Sequence, residues 1–228
     1  MTGAKRFFDK LAPEYEAQNR QKYQFYRWII QTIVRQIDNG ECEILDLGTG
    51  TGELLLRLAR KFRQSRITGL DISVAMIEKA REAAVKMSAS NVTFIVSSME
   101  KAEIGKIDFA VSCLAFHHVA NKEFVISKVY QALAENGKLV IGDWFKPCKK
   151  YKEEVQGLRS RNPRKAKEFE QSWQQALRAV SKEYRKGHPK EYPICPHRLE
   201  EIMRDTGFKK QRIVKSPLAN FAVVIGMK

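Results

Sequence analysis

The sequence predicts an α/β domain built on a doubly wound, mostly parallel sheet of seven strands. Three observations carry that expectation. Short apolar runs alternate with segments whose apolar residues recur at helical spacing, and strand–helix–strand repeats imply parallel, right-handed crossovers. The first run leads into a glycine turn, Asp46-Leu47-Gly48-Thr49-Gly50-Thr51-Gly52, and the second ends in an acid, Asp71. The last two runs, Lys209 to Val214 and Phe221 to Met227, read as a closing antiparallel pair, the second apolar enough to lie inside the sheet.

Residues 5 to 38 carry apolar positions at helical spacing, among them Phe7, Phe8, Leu11, Tyr26, Ile29, Ile30, Ile33 and Ile37, with a break expected at Pro13; two N-terminal helices follow. After Asn39-Gly40 the first strand covers about 43 to 47. Glu53 to Lys61 then gives a helix, with Leu54, Leu55, Leu58 and Phe62 on one side. A second strand, Arg66 to Leu70, leads into a helix for which Ser73 is a good N-cap. Asn91 to Val96, Ile107 to Cys113 and Gly137 to Ile141 are the third, fourth and fifth strands, with Glu123 to Leu133 helical and Glu135-Asn136-Gly137 a turn. Lys149 to Tyr192 breaks the rhythm. It is helical in pattern, interrupted at Asn162-Pro163 and Gly187-His188-Pro189, and reads as an inserted lid over 147–195, before a last helix at Leu199 to Arg204.

A chain of 228 residues is expected to form one domain, with 1–40 as N-terminal helices, 41–146 as the core and 196–228 as the closing helix and strand pair. No apolar run approaches the roughly 20 residues that span a bilayer. Asp9, Glu14 and Glu16 interrupt the N-terminal region, which therefore does not read as a signal peptide, and a cytoplasmic location is expected. Cys42, Cys113, Cys148 and Cys195 are scattered without C-x-x-C pairing, so neither a metal site nor a disulfide framework is expected, and the four thiols read as reduced. The charge is uneven. Of a net +15, the stretch from Lys146 to Lys215 holds 20 Lys and Arg against 9 Asp and Glu, a surplus of 11. Such a region attracts nucleic acid, anionic lipid or an acidic small substrate, or is simply a solvated helix face.

Glycines let the chain turn sharply off a strand end and bring bare backbone against a ligand. An acid about 20 residues further on, at the end of the next strand, can accept hydrogen bonds from both hydroxyls of a ribose. An adenosine-containing cofactor is therefore expected. A dinucleotide loop spaces its glycines G-x-G-x-x-G, whereas here the spacing is Gly48-x-Gly50-x-Gly52, and Asp46 just upstream would repel a pyrophosphate and suit a cationic ligand.

The D-x-G-x-G-x-G pattern with its downstream acid resembles the class I methyltransferases that use S-adenosyl-L-methionine. Phe8-Asp9-Lys10-Leu11-Ala12-Pro13-Glu14-Tyr15 is similar to the FD-x-A-x-x-Y opening of small-molecule methyltransferases related to the ubiquinone and menaquinone C-methylating enzymes. Further blocks occur in the family's order: Asp71-Ile72-Ser73, Ile107 to His118, Leu133 to Ile141 and Thr206-Gly207-Phe208. The resemblance implies a Rossmann-like fold and a small-molecule methyl acceptor. It also implies that Gly48, Thr49, Gly50 and Gly52 pack under the methionine part, Asp71 holds the ribose, and Ile72 lies on one adenine face. Ser98 and the backbone of Met99 stand where the family usually has an acid near the adenine amino group, with Glu100 as the alternative. Cys113 offers backbone to the methionine amine, and Tyr15 closes over the cofactor.

His117 and His118 follow the fourth strand, where an imidazole can take a proton from an acceptor or simply pack under the loop. Tyr23, Tyr26, Trp144, Trp173, His188 and Tyr192 are candidates for an aromatic substrate chamber or for ordinary packing. Methyl transfer from a sulfonium needs mainly a linear approach, and alignment of that kind is worth on the order of 7–11 kcal/mol. Two other readings stand beside the small-molecule enzyme: an RNA methyltransferase using the basic 146–215 region, and a regulatory protein that binds the cofactor without turnover.

Overall fold

The computed structural model describes residues 3–15, 23–37, 40–179 and 188–228. Its strands are β1 (Glu43–Leu47), β2 (Arg66–Asp71), β3 (Val92–Val96), β4 (Ile107–Cys113), β5 (Leu133–Trp144), β6 (Lys210–Lys215) and β7 (Phe221–Met227). They form one sheet in the order β3-β2-β1-β4-β5-β7-β6. Neighbours from β3 to β5 pair in parallel, and β7 lies antiparallel between β5 and β6. The order reverses at β1, which pairs with both β2 and β4. Open α/β sheets place ligands outside the carboxyl ends of the strands at such a reversal.

The described helices are α1 (Gly3–Tyr15), α2 (Gln24–Val34), α3 (Glu53–Lys61), α4 (Val74–Lys86), α5 (Lys122–Ala132), α6 (Lys149–Arg161), α7 (Pro163–Ala179) and α8 (Pro196–Thr206). Alternation along the strands sorts the core onto two faces. Ile44, Phe109, Val111 and Val140 pack with Ile29, Ile30 and Ile33 of α2 and with Leu55 and Leu58 of α3. Leu45, Leu47, Ala110 and Ile141 pack with Val125, Ile126 and Val129 of α5 and with Leu199, Ile202 and Met203 of α8. Strands covered on both sides are apolar almost throughout, as the buried run of β7 illustrates. No described helix is long and apolar enough to cross a membrane.

Three expectations are corrected. Pro13 does not break its helix: α1 runs through it from Gly3 to Tyr15. The Glu135-Asn136-Gly137 turn is absorbed into β5 as a bulge: the β4 register steps from Ile107↔Leu133 to Phe109↔Lys138, and Asn136 takes a φ of +65°. The described helices of the 147–195 insertion are anchored beside Phe221, which pairs with Trp144 at the end of β5. Phe169 and Ala176 of α7 join the α2 core, the Ser172 hydroxyl accepts a hydrogen bond from the Gln24 amide (2.8 Å), and the buried Tyr151 of α6 donates to the Phe221 carbonyl (3.1 Å). The residues that lead to this packing are apolar side chains on two otherwise basic helices, a stripe that net charge conceals.

The third correction concerns cysteine. Cys148 and Cys195 are paired as a disulfide, with Cα atoms 5.6 Å apart, although 47 residues separate them. They cap the N-termini of α6 and α8, and the chain segments that precede them run side by side, with the Lys146 amide donating to the Ile194 carbonyl (3.1 Å). Cys42 and Cys113 are partly buried.

Candidate active site

A cavity of about 620 Å³ opens where the sheet order reverses, between the carboxyl ends of β1, β2 and β4. Its size falls in the range of small-molecule pockets, on the order of 300–1,000 Å³. The glycine turn forms its floor. Leaving β1, the amides of Gly48 and Thr49 both donate to the Leu70 carbonyl (2.8 and 2.9 Å), which ties the loop to the end of β2. The Gly50 amide then donates to Asp71 Oδ2 (2.9 Å), while Asp71 Oδ1 accepts from the Ser73 amide (2.9 Å). Asp71 thus holds the loop with one oxygen and the approach to α4 with the other. Each carboxylate oxygen has two lone pairs, so both retain acceptor capacity toward the cavity that Asp71 lines. Burial raises the Asp71 pKa, opposed by these amides.

The three glycines have different tasks. Gly50, at φ +54°, has nothing within 4 Å of where a Cβ would stand and lines the cavity. Gly48, at φ +76°, also lines it, but a Cβ there would lie 2.4 Å from the Cβ of Ala115 and 3.0 Å from Cε of Met99. Gly52, at φ +88°, is the left-handed residue before α3, and a Cβ there would meet Ala80 of α4 at 3.1 Å.

Asp46 stands behind the turn. Strand alternation puts it on the α2 and α3 side of the sheet, 1% exposed and away from the cavity wall. Its Oδ2 accepts from the Thr49 hydroxyl (2.8 Å), and its Oδ1 is buried without a partner. Burial pushes its pKa up to about 7, the Thr49 bond opposing and Asp71 adding to the rise. Between its unfolded value of 3.8 and about 7, the folded state binds more protons, so this group's contribution to stability is lost as pH rises through that window.

The remaining walls combine expected and unexpected residues. Ile72, Ser98, Met99, Glu100 and Cys113 line the cavity, with Thr49 beside them. The Ser98 carbonyl and hydroxyl accept the amides of Lys101 and Ala102 in a tight turn, and Lys128 donates to the Glu100 carbonyl (2.9 Å), so this wall is fixed by side chains outside it. Tyr26, Tyr192 and His118 also line it, whereas Tyr23 and Trp173 are packed on Phe25. Trp144 and His188 stand behind the wall, against His117 and His118. The Tyr15 backbone ends α1, but its side chain lies outside the described residues.

Sequence reasoning missed the device that docks α1. Asp9 accepts from the Ser73 hydroxyl (2.7 Å) and from the Ala75 amide (3.2 Å), so an acid from the N-terminal helix caps α4 beside Asp71. This brings Ala4 and Phe8 onto the cavity, and Phe8 meets the His118 ring edge-on at 5.3 Å. The S/T-x-x pattern at Ser73 marked the cap, but nothing local marked its partner 64 residues earlier.

His117 and His118 sit in a 3₁₀ turn, Phe116–His118, after β4. They are not equivalent. His117 is 11% exposed on its side chain and does not line the cavity; Asp143 of β5 accepts its amide (2.7 Å) and bonds its Nδ1 (2.6 Å). His118 does line the cavity, and its Nδ1 is buried without a hydrogen-bond partner. Burial, first, and the neighbouring His117 and His188 depress its pKa to about 3, so the ring is neutral at physiological pH. A depressed value means that the neutral ring's contribution to stability is present above about 6.5 and lost as pH falls toward 3. We expect the His118 Cε1 proton shift, followed by NMR, to stay constant from pH ~8 to ~5. A titration with a midpoint near 6.5, the unperturbed value, would show that the ring is solvated instead.

Comparison with known proteins adds to this geometry. A family model described as a methyltransferase domain matches residues 38–204. A ubiquinone/menaquinone biosynthesis C-methyltransferase of Desulfotalea psychrophila is 26% identical over 151 residues, covering 64% of this chain and 60% of that protein. The chain thus spans less than two thirds of that relative's length. A SAM-dependent methyltransferase from Aquifex aeolicus shares the fold with a TM-score of 0.61 at 19% identity, over 87% of this chain and 88% of that one. A Haemonchus contortus phosphoethanolamine N-methyltransferase, solved with phosphomonomethylethanolamine and S-adenosylhomocysteine, has a TM-score of 0.66 at 17% identity, over 98% and 60% of the respective chains.

Proposed function

Because the chain belongs to the methyltransferase-domain family, we propose that it transfers a methyl group from S-adenosyl-L-methionine to a small-molecule acceptor. The observation that carries this reading is the pairing of an open Gly50 with the Asp71 carboxylate on one cavity floor. A bare backbone position with empty space above it fits close approach of a ligand, and a carboxylate with spare lone pairs fits a vicinal diol.

In this reading Asp71 holds the ribose, Ile72 and Met99 enclose the adenine with Ser98 at its edge, and Gly48, Thr49 and Gly50 support the methionine part beside the Cys113 backbone. The cofactor supplies an electrophilic methyl on a thioether leaving group. Asp46 acts at a distance. Its charge is behind the loop in a low-dielectric setting, where a cationic ligand in front favours the ionised carboxylate over the protonated one. Asp9 keeps α1 across the opening and Phe8 limits water at the reacting end. Neutral His118 faces the acceptor as a hydrogen-bonding and packing group; an imidazole whose pKa is lowered to about 3 is a weak base that takes up no second proton at neutral pH, so alignment rather than proton transfer carries the step.

The relatives methylate carbon and nitrogen on unlike molecules, so the acceptor is proposed by class only. An apolar wall of Phe8, Tyr26, Met76, Leu114 and Tyr192 favours an aromatic or acyl body over a highly charged one. Transfer of tritium from labelled cofactor to members of a small-acceptor panel tests this. Labelling of one acceptor class, lost in Asp71→Ala, supports it; labelling of RNA alone would move the reading to the basic surface of α6 and α7. That surface is in part self-paired, through Arg159–Glu170 and Arg164–Glu168.

A further inference from the structure

We propose that His117, His118 and Glu191 form a binding site for a late first-row divalent cation, with Zn²⁺ the ion that the donor set fits. Ligand atoms from the three side chains lie within 4.8 Å of one another. Two imidazoles and one carboxylate are a recurrent zinc set, which leaves a coordination position for water or an acceptor heteroatom.

The local geometry favours coordination over a simple ion pair. His117 Nε2 stands 3.8 Å from Glu191 Oε1, beyond hydrogen-bond length. Metal–ligand bonds of about 2.0–2.2 Å at a tetrahedral angle separate two ligand atoms by roughly 3.4 Å, so small side-chain movements close the set. The opposite nitrogen of His117 is bonded to Asp143 at 2.6 Å, and that carboxylate is also held by the His117 and Trp144 amides, both at 2.7 Å. A carboxylate behind a histidine fixes the tautomer and raises the basicity of the nitrogen that faces the metal. The second, independent observation is His118 Nδ1, buried and without a hydrogen-bond partner. Such an atom costs free energy unless something accepts its lone pair.

Glu191 reaches the two histidines because the Tyr192 amide donates to the His117 carbonyl at 2.7 Å. His188 adds a further ring at the edge of the cluster, with Nδ1 3.3 Å from Glu191 Oε1. A bound ion would therefore clamp segment 188–192, which supplies Pro189, Lys190 and Tyr192 to the cavity, onto the turn that follows β4. The cysteine spacing carried no hint of this site, since its ligands are two histidines that follow β4 and a glutamate near the end of the 147–195 insertion.

The test uses the purified chain, stripped with a chelator, and titrates Zn²⁺ against a chromophoric competitor. One equivalent is expected to bind, with an absorption-edge spectrum of nitrogen and oxygen neighbours only. Asp143→Asn is expected to weaken binding by roughly 10–100-fold, the usual effect of removing a carboxylate behind a metal-bound histidine. Glu191→Gln replaces a ligand on a partly exposed loop and is expected to weaken it at least as much while leaving the apo-protein melting curve in place. Absence of uptake, affinity unchanged in Glu191→Gln, or sulfur in the coordination shell would each overturn the proposal. None of these outcomes depends on methyl transfer, because binding is read on the chain without nucleoside.

Discussion

Replacing Asp71 with alanine is expected to weaken S-adenosylhomocysteine binding by roughly tenfold to a hundredfold, the equivalent of about 1.5–3 kcal/mol for hydrogen bonds to a charged group. The loss has two origins. One is the proposed bond to the ribose. The other is release of the Gly50 amide, which Asp71 holds at 2.9 Å, and of the Ser73 amide on its other oxygen. Asp71→Asn separates them. Its single carbonyl oxygen serves one amide but no longer offers two anionic acceptors, so it should keep more thermal stability than alanine while binding the nucleoside poorly. Affinity unchanged in both variants, measured by calorimetry, would mean that the carboxylate organises the loop and touches no ligand.

The second large effect is a contrast within the glycine turn. In Gly48→Ala, an L-residue at φ +76° costs roughly 1–2 kcal/mol, and a Cβ 2.4 Å from that of Ala115 adds about 1–3 kcal/mol of overpacking. A loss on the order of 2–5 kcal/mol lowers the melting temperature by roughly 5–15 °C in a domain of this size. Gly50→Ala meets nothing within 4 Å and should cost only the backbone term. Its methyl, however, projects into the cavity, so nucleoside affinity falls further than stability does. Paired melting and binding curves check the contrast; equal effects of the two substitutions on both properties would show that the two glycines share one task.

The loop was readable from sequence because its demands are local. A glycine spaced to leave a strand, and an acid at the end of the next, are constraints that neighbouring residues impose on one another. The alternation of Ile44 with Leu45 and Leu47, and the buried run of β7, made the sheet legible for the same reason: one strand's period fixes which face each side chain meets. Asp46 shows the limit of that reading. Its place in the pattern suggested a ligand contact, whereas its parity along β1 turns it away from the cavity.

What escaped the sequence is assembled from distant segments. Asp9 on α1 caps α4, Asp143 on β5 holds His117, Glu191 arrives from beyond α7, and Cys148 finds Cys195 because two helix N-termini lie together. None of these pairs has a spacing signal. The insertion was legible in part: its broken rhythm and helical pattern marked it, but its net charge gave no sign that Tyr151, Val155, Phe169 and Ala176 pack α6 and α7 onto the core. Burial of a few large side chains, each worth about 1.5–3 kcal/mol, outweighs the preference of exposed lysines for any one arrangement.

The central claim is that the cavity at the reversal of strand order binds S-adenosyl-L-methionine. Isothermal titration of the folded, full-length chain with S-adenosylhomocysteine tests it most directly. One-site binding with measurable heat and a raised melting temperature, both reduced in Asp71→Ala, is the predicted result. No heat and no stabilisation by either nucleoside would contradict the account.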